Sequence, residues 1–305
     1  PSSPLTTDDL IASYSYNDMD NDPDRSEIKW FKNNVPQIGY NDLKTVPSSA
    51  TTKGDVWYFT IKPYDGYNYG DMKTSTSVTI GNTPPTATSL VISPSSPKKT
   101  DNLVGSYTYD DIDGDAETAS EIKWYKNGTL QIENQLTVPS SALSKGDTWY
   151  FTVKPYDGSD YGEIKTSESV LIINTPPTAE NLAISPSSPK TNNDLIGSYI
   201  YSDPEGDPET ASEIRWYKDG ILQTKYNDQL IIPSSATKKN ETWYFTVKPY
   251  DGSDYGELKT SPSVRINNSP PTVSLGGTYN AIIGVAMTFT PNVEDPDNDV
   301  STYRW

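Results

Sequence analysis

The feature that most constrains this chain is internal repetition. "SEIKWFK" at 26–32 returns as "SEIKWYK" at 120–126 and as "SEIRWYK" at 212–218, so Trp30, Trp124 and Trp216 stand 94 and 92 residues apart. "WYFTIKPYDG" at 57–66 returns as "WYFTVKPYDG" at 149–158 and again at 243–252. "NTPPTA" at 82–87 returns at 174–179, then as "NSPPTV" at 268–273. A fixed period of this size means one folding unit used several times, and it overrules a division by length alone.

The repeats divide the chain into 1–82, 83–174, 175–268 and a partial fourth unit, 269–305. The first begins at "PSSP", matched at 94–97 and 186–189, and so lacks its first strand. The fourth reaches Trp305, which aligns with Trp216. Half a sandwich leaves an unpaired edge. The expectation is therefore that the natural chain continues in both directions, the alternative being that neighbouring chains supply the missing strands. The missing initiator Met also suggests a segment of a longer or processed protein.

Within one unit, short strands alternate with turn signals every 8–12 residues. In the second unit Leu90 to Ile92 reads as a first strand. Leu103, Gly105, Tyr107 and Tyr109 share one face of a second. Ile122 and Trp124 point inward on a third, and Asn127-Gly128 marks a tight hairpin, echoed by Asp219-Gly220. "QLTVP" reads as a middle strand, Trp149, Phe151 and Val153 alternate inward on the next, and Ser169 to Ile173 closes the unit. No segment carries a helical period over helical length. Seven strands with a Trp on the third predict an all-β fold, tandem immunoglobulin-like β-sandwiches in an extended array.

The phrases "WYKNG", "GDTWYFTVKPYDG" and "NTPPTA" resemble tandem immunoglobulin-like repeats of prokaryotic, notably archaeal, cell-surface proteins. The last 36 residues resemble the first half of a PKD-type domain. The resemblance implies an extracellular or cell-surface location, in surface layers, filaments, adhesins or secreted enzymes, and the expectation is a structural role in a surface layer, filament or stalk.

Composition excludes whole classes of chemistry. There is no Cys and no His, so there are no disulfides, thiolate nucleophiles, Cys or His metal sites or Ser-His-Asp triads. A net charge of −17 opposes nucleic acid and anionic membrane surfaces. No apolar run reaches transmembrane length. The 7 Trp and 22 Tyr supply the apolar faces that a disordered chain lacks.

The recurring chemistry is acidic. The loop between the second and third strands carries Asp18, Asp20, Asp22 and Asp24 in the first unit. It carries Asp111, Asp113, Asp115 and Glu117 in the second, Asp203, Glu205, Asp207 and Glu209 in the third, and Asp295, Asp297 and Asp299 in the fourth. Carboxylates at alternate residues repel one another unless a cation intervenes. Ca²⁺ takes six to eight oxygens in flexible geometry, and Mg²⁺ is stricter, so the expected cofactor is calcium. A second acidic set follows the "WYFT" strand: Asp65, Asp157 and Asp251, then Asp160 and Asp254, then Asp71, Glu163 and Glu257. In an immunoglobulin-like sandwich both loops lie at the end where the preceding linker enters. Asn82 or Thr83 is thus expected beside Asp111, Asp113, Asp115 and Asp157, with Asn174 and Thr175 beside Asp203, Glu205, Asp207 and Asp251. The arrangement resembles the calcium-clamped junctions of cadherin-like arrays, although the cadherin linker motif is absent. The competing reading is plain: Asp favours turns and solubilises surfaces.

Paired carboxylates can hydrolyse glycosides. Here they recur in every unit without a distinctive cleft, so no catalytic residue is assigned and an enzyme is not expected. The expected partners are further copies of the chain, as a homopolymer, with no nucleic acid and no membrane insertion. An adhesin is the alternative, with glycans stacked on Tyr64, Tyr67, Tyr69, Tyr156, Tyr161, Tyr250 and Tyr255. Accessory repeats of a secreted enzyme are another. Sequons stand at Asn127, Asn240 and Asn267.

Overall fold

The computed structural model describes residues 1–274, 283–284 and 292–299. The chain forms two compact units, one of residues 1–97, 101–142 and 147–172 and the other of 98–100, 143–146 and 173–305.

In the first unit, Glu121–Lys126 pairs antiparallel with Thr148–Lys154, with Trp124 opposite Phe151 and Ile122 opposite Val153. Alternation sends these side chains to one face, where Trp124, Phe151 and Val153 are completely buried. Thr129–Glu133 returns along the outer edge of Glu121–Lys126 through Asn127-Gly128, whose φ values of 49° and 79° are those of the tight hairpin turn read from the sequence. Lys165–Thr166 and Val170–Leu171 flank the other edge. A second sheet places Leu103–Asp110 between Thr86–Ser93 and Thr137–Val138. Gly105 faces the Trp124 ring: a Cβ there would lie 3.0 Å from Trp124 Cζ2 and 3.1 Å from Phe151 Cε1. The indole N–H of Trp124 donates to the Gln135 carbonyl at 2.9 Å. This is an immunoglobulin-like sandwich.

Residues 1–82 build the same hairpin sheet from Glu27–Lys32, Val35–Pro36, Val56–Lys62, Lys73–Thr74 and Val78–Thr79. Their second sheet is only Leu10–Ile11 against Thr45–Val46. A cleft of about 410 Å³ lined by Leu10, Tyr14, Trp30, Phe59, Lys73 and Val78 lies beside it.

The second unit repeats the plan. Leu195–Ser202 lies between Thr178–Ser185 and Ile231–Ile232. Glu213–Lys218 pairs with Thr242–Lys248, with Ile221–Leu222, Lys259–Thr260 and Val264–Arg265 at the edges. Trp216, Trp243, Phe245, Leu195, Ile232 and Val247 form its core. Beyond it, Thr272–Ser274 pairs with Asn292–Glu294. Most of the PKD-like stretch, including Trp305, lies outside the described residues.

Two strand expectations need correction. The first strand is Thr86–Ser93 rather than Leu90 to Ile92, and its register shifts between Thr88 and Val91, where Ser89 has φ 54°. The last edge is not one strand over 169–173. The Ser167 hydroxyl accepts the Phe151 N–H at 3.1 Å, and the Ser167 N–H donates to the Phe151 carbonyl at 2.9 Å. A side chain thus replaces part of the ladder, leaving two short strands.

Candidate metal centre

Register places both acidic loops at one end of each sandwich. Glu121, just after the D-x-D loop, sits opposite Lys154, just before the YDG turn. In residues 111–115 the Asp111 Oδ1 accepts the N–H groups of Asp113 at 2.8 Å and Asp115 at 3.0 Å. That folds the loop around its first carboxylate. Asp111, Asp113 and Asp115 then each offer an oxygen within 4.8 Å of the others.

The linker closes over this loop. The Thr83 N–H donates to Asp113 Oδ2 at 2.7 Å, and the Thr6 hydroxyl donates to Asp113 Oδ1. The Asn82 amide donates to Asp157 Oδ2 and Asp160 Oδ2, both at 2.8 Å. Burial pushes the Asp157 carboxyl up, but the Asn82 amide and the N–H groups of Asp160 and Ser159 outweigh it and hold it below the usual range. Lys53 Nζ lies 2.6 Å from Asp115 Oδ2 and 2.7 Å from Asn82 Oδ1.

Residues of the second unit form a loop of the same internal fold, although among the described residues only Asp111, Asp113 and Asp115 bring their oxygens within 4.8 Å of one another. Asp203 Oδ1 accepts the N–H groups of Glu205 at 2.9 Å and Asp207 at 3.0 Å. Thr175 donates to Glu205 at 2.8 Å, and Asn174 donates to Asp251 and Asp254 at 2.8 Å each. Lys145 reaches Asp207 at 3.0 Å. The third set is Asp295, Asp297 and Asp299: Ser269 N–H donates to Asp297 at 2.6 Å, and Lys239 reaches Asp299 at 2.5 Å.

The donor count does not satisfy these acids. Asp111 Oδ2, Asp203 Oδ2, Glu205 Oε2, Asn174 Oδ1 and Asp297 Oδ1 are buried oxygens without a hydrogen-bond donor. A buried oxygen left unpaired costs about 1–3 kcal/mol, more when charged. Hard oxygens without donors are the ligands calcium takes, so the residues fit that ion.

The structure does not bring every expected ligand together. Glu117 Oε1 accepts the hydroxyls of Tyr107 at 2.6 Å and Ser120 at 2.5 Å, and Glu209 does the same with Tyr199 and Ser212. Asp24 is held by Tyr14 and Ser26. These three acids brace the base of the loop instead. Asp18 Oδ1 accepts the N–H groups of Asp20 and Asp22, and Asp65 Oδ1 those of Tyr67 and Asn68. The 18–22 loop thus has the same internal fold.

Two tyrosines belong to the site; sequence placed Tyr109 on the inward face of its strand and assigned Tyr201 no role. The Tyr109 hydroxyl donates to the Asp115 carbonyl at 3.3 Å, and Tyr201 to that of Asp207 at 3.2 Å. Burial first, then the charges of Asp111 and Asp157, push Tyr109 up to about 12. Burial, Asp203 and Asp251 push Tyr201 up to about 12 as well. The lysines and Thr6 were missed. Their signal was a Lys four residues before each of Trp57, Trp149 and Trp243.

Six of the seven expected sugar-stacking tyrosines pair with one another, while Tyr67 stands exposed. Tyr64 stacks on Tyr69, Tyr156 on Tyr161 and Tyr250 on Tyr255, with ring centroids 4.3–4.4 Å apart. Lys62, Lys154 and Lys248 lie over Tyr69, Tyr161 and Tyr255. The sequon residue Asn127 donates its side-chain N–H to Asp147 Oδ1 and accepts the Thr148 backbone N–H on its Oδ1, both at 2.9 Å.

No protein family and no curated protein matches the chain by sequence. The strand order of the modules is immunoglobulin-like. The chain is similar to several solved structures at low identity. The chicken CNTN1 FN1-FN3 domains match at 10% identity with a TM-score of 0.27, over 81% of this chain and 90% of that one. The CbhA fibronectin(III)-like modules of Clostridium thermocellum match at 14% identity with a TM-score of 0.25, over 59% and 94%. The N-terminal eight Ig domains of Down Syndrome Cell Adhesion Molecule match at 12% identity with a TM-score of 0.42, over 87% of this chain and 35% of that one. Among the described residues, no helix is long and apolar enough to cross a membrane.

Proposed function

We propose that this chain is a structural, non-catalytic segment of an extracellular or cell-surface protein whose immunoglobulin-like repeats are clamped by calcium. The observation that carries the reading is the donor-free buried oxygen beside each linker: Asp111 Oδ2, Asp203 Oδ2 and Asp297 Oδ1. Asp111, Asp113 and Asp115 would hold the ion in the first set, with Asp203, Glu205 and Asp207 in the second and Asp295, Asp297 and Asp299 in the third. The ion neutralises the carboxylates, and the linker residues Thr83, Thr175 and Ser269, already bonded to them or positioned on them, are drawn into the same site.

Calcium binding only the folded state adds RT ln(1 + [L]/Kd), about 2.7 kcal/mol at 100-fold excess over Kd. That offsets the lack of disulfides in a chain with no Cys. Millimolar extracellular calcium suits repeated sites of this kind. The prokaryotic, archaeal surface arrays that the sequence resembles, and assembly into a homopolymer once charge is neutralised, belong to the same reading. The stacked tyrosine pairs give no support to the glycan-binding alternative.

The test is thermal unfolding of the full chain in calcium, in magnesium and in excess EDTA. A clear rise in melting temperature with calcium and little with magnesium is expected. Identical melting in all three would refute the clamp.

A further inference from the structure

We propose that Lys53, Lys145 and Lys239 are tethered competitors for the cation, so that each acidic loop exchanges its own ammonium for calcium on binding. This rests on the calcium reading above and adds the residue that sets affinity.

The three lysines occupy one repeat position, four residues before the buried Trp57, Trp149 and Trp243. Each crosses 60–62 residues of sequence to the last carboxylate of an acidic loop: Asp115, Asp207 and Asp299. The spacings are 2.6, 3.0 and 2.5 Å. The same position could have served as an ordinary surface lysine. Instead it turns its ammonium onto a carboxylate in all three sets. An ammonium in contact with a carboxylate oxygen and a divalent ion ligated by that oxygen exclude each other by charge and by space. Lys is suited to this role. It is a compact charge on a flexible stem that can swing into water, whereas Asp111, Asp113 and Asp115 are tied by backbone bonds.

The competition is unequal between sets. In the first, Thr6 donates a hydroxyl to Asp113. At the equivalent position in the second, Lys99 Nζ lies 2.5 Å from the Pro204 carbonyl, within the acidic loop. The second loop therefore carries, beside Lys145 on its carboxylate, a further ammonium on a backbone carbonyl, which the first loop lacks. Calcium is expected to fill the Asp111 set before the Asp203 set.

The experiment is a calorimetric calcium chloride titration of the full chain and of the combined Lys53→Met, Lys145→Met and Lys239→Met variant. Exposed ion pairs of this strength correspond to a fall in Kd of about 2- to 5-fold per site. Melting in EDTA should drop in the variant, while melting in calcium should hold or rise. Lys→Arg replacements should keep the weaker affinity. Lys126→Met, which removes an equal charge paired with Asp147 at the far end of its strand, should leave Kd unchanged. Calcium affinity unchanged or weakened in the Met variant overturns the exchange while leaving the clamp intact. Absence of calcium binding in both chains overturns the clamp and the exchange together. Binding in the Met variant alone supports the exchange directly.

Discussion

Gly162 has no room for a side chain because of Pro85: a Cβ there would lie 1.9 Å from the Pro85 carbonyl oxygen. The second proline of the linker is seated on the turn that follows the YDG loop. Gly256 stands in the same relation to Pro177, again at 1.9 Å. Gly70, the equivalent in the first repeat, meets no linker, and its nearest neighbour is the Pro63 side chain at 3.2 Å.

Gly162→Ala should therefore destabilise its repeat by about 1–3 kcal/mol, the range for forcing atoms into packed space. Gly70→Ala should cost much less. Denaturant unfolding of the two variants decides this, and equal costs would mean that the linker is not packed as described.

Asn82 is bound by two acids at once. Its amide donates to Asp157 and Asp160, both at 2.8 Å. Asn82→Ala removes two bonds to charged acceptors and should cost about 1–3 kcal/mol. Asn82→Asp places a third carboxylate there, so it should cost more in EDTA and recover with calcium. Melting in the two conditions checks both the size and the recovery.

The loop tyrosines give a pH signature. Tyr107, Tyr109 and Tyr201 are each pushed up to about 12, chiefly by burial, from an ordinary value of about 10. The folded state keeps these protons when the unfolded state has lost them. Their contribution to stability is thus fully present below about pH 10 and is lost as pH rises through about 12. Calcium removes the charge of Asp111 from Tyr109 and should lower its midpoint. Ultraviolet absorbance titration, with Tyr109→Phe as reference, reads this directly. A midpoint indifferent to calcium would separate Tyr109 from the site.

Much of this was legible from sequence because it is local. Trp124 and Phe151 sit on alternating stretches, and Asn127-Gly128 can scarcely be anything but a hairpin turn. The D-x-D loop announced itself by spacing, and Asn82 and Thr83 were placed correctly by topology. Glu117 and Glu209 were not, because alternation carries on in the sequence after the loop has ended in space. Their oxygens turn to Tyr107 and Tyr199 on the neighbouring strand. Lys53 was illegible for a different reason. A Lys before a Gly in a polar turn looks like solvated surface until the fold brings it to Asp115, 62 residues away.

The most direct measurement is equilibrium dialysis of the full chain against calcium, with metal analysis, for wild type and for Asp111→Asn. Asn keeps a side-chain oxygen to accept the Asp113 and Asp115 N–H groups. It removes only the charged oxygen that has no donor. The account predicts retained calcium in the wild type and loss of one set's share in the variant, with the other sets unaffected. Equal calcium in both chains, or none in either, would contradict it.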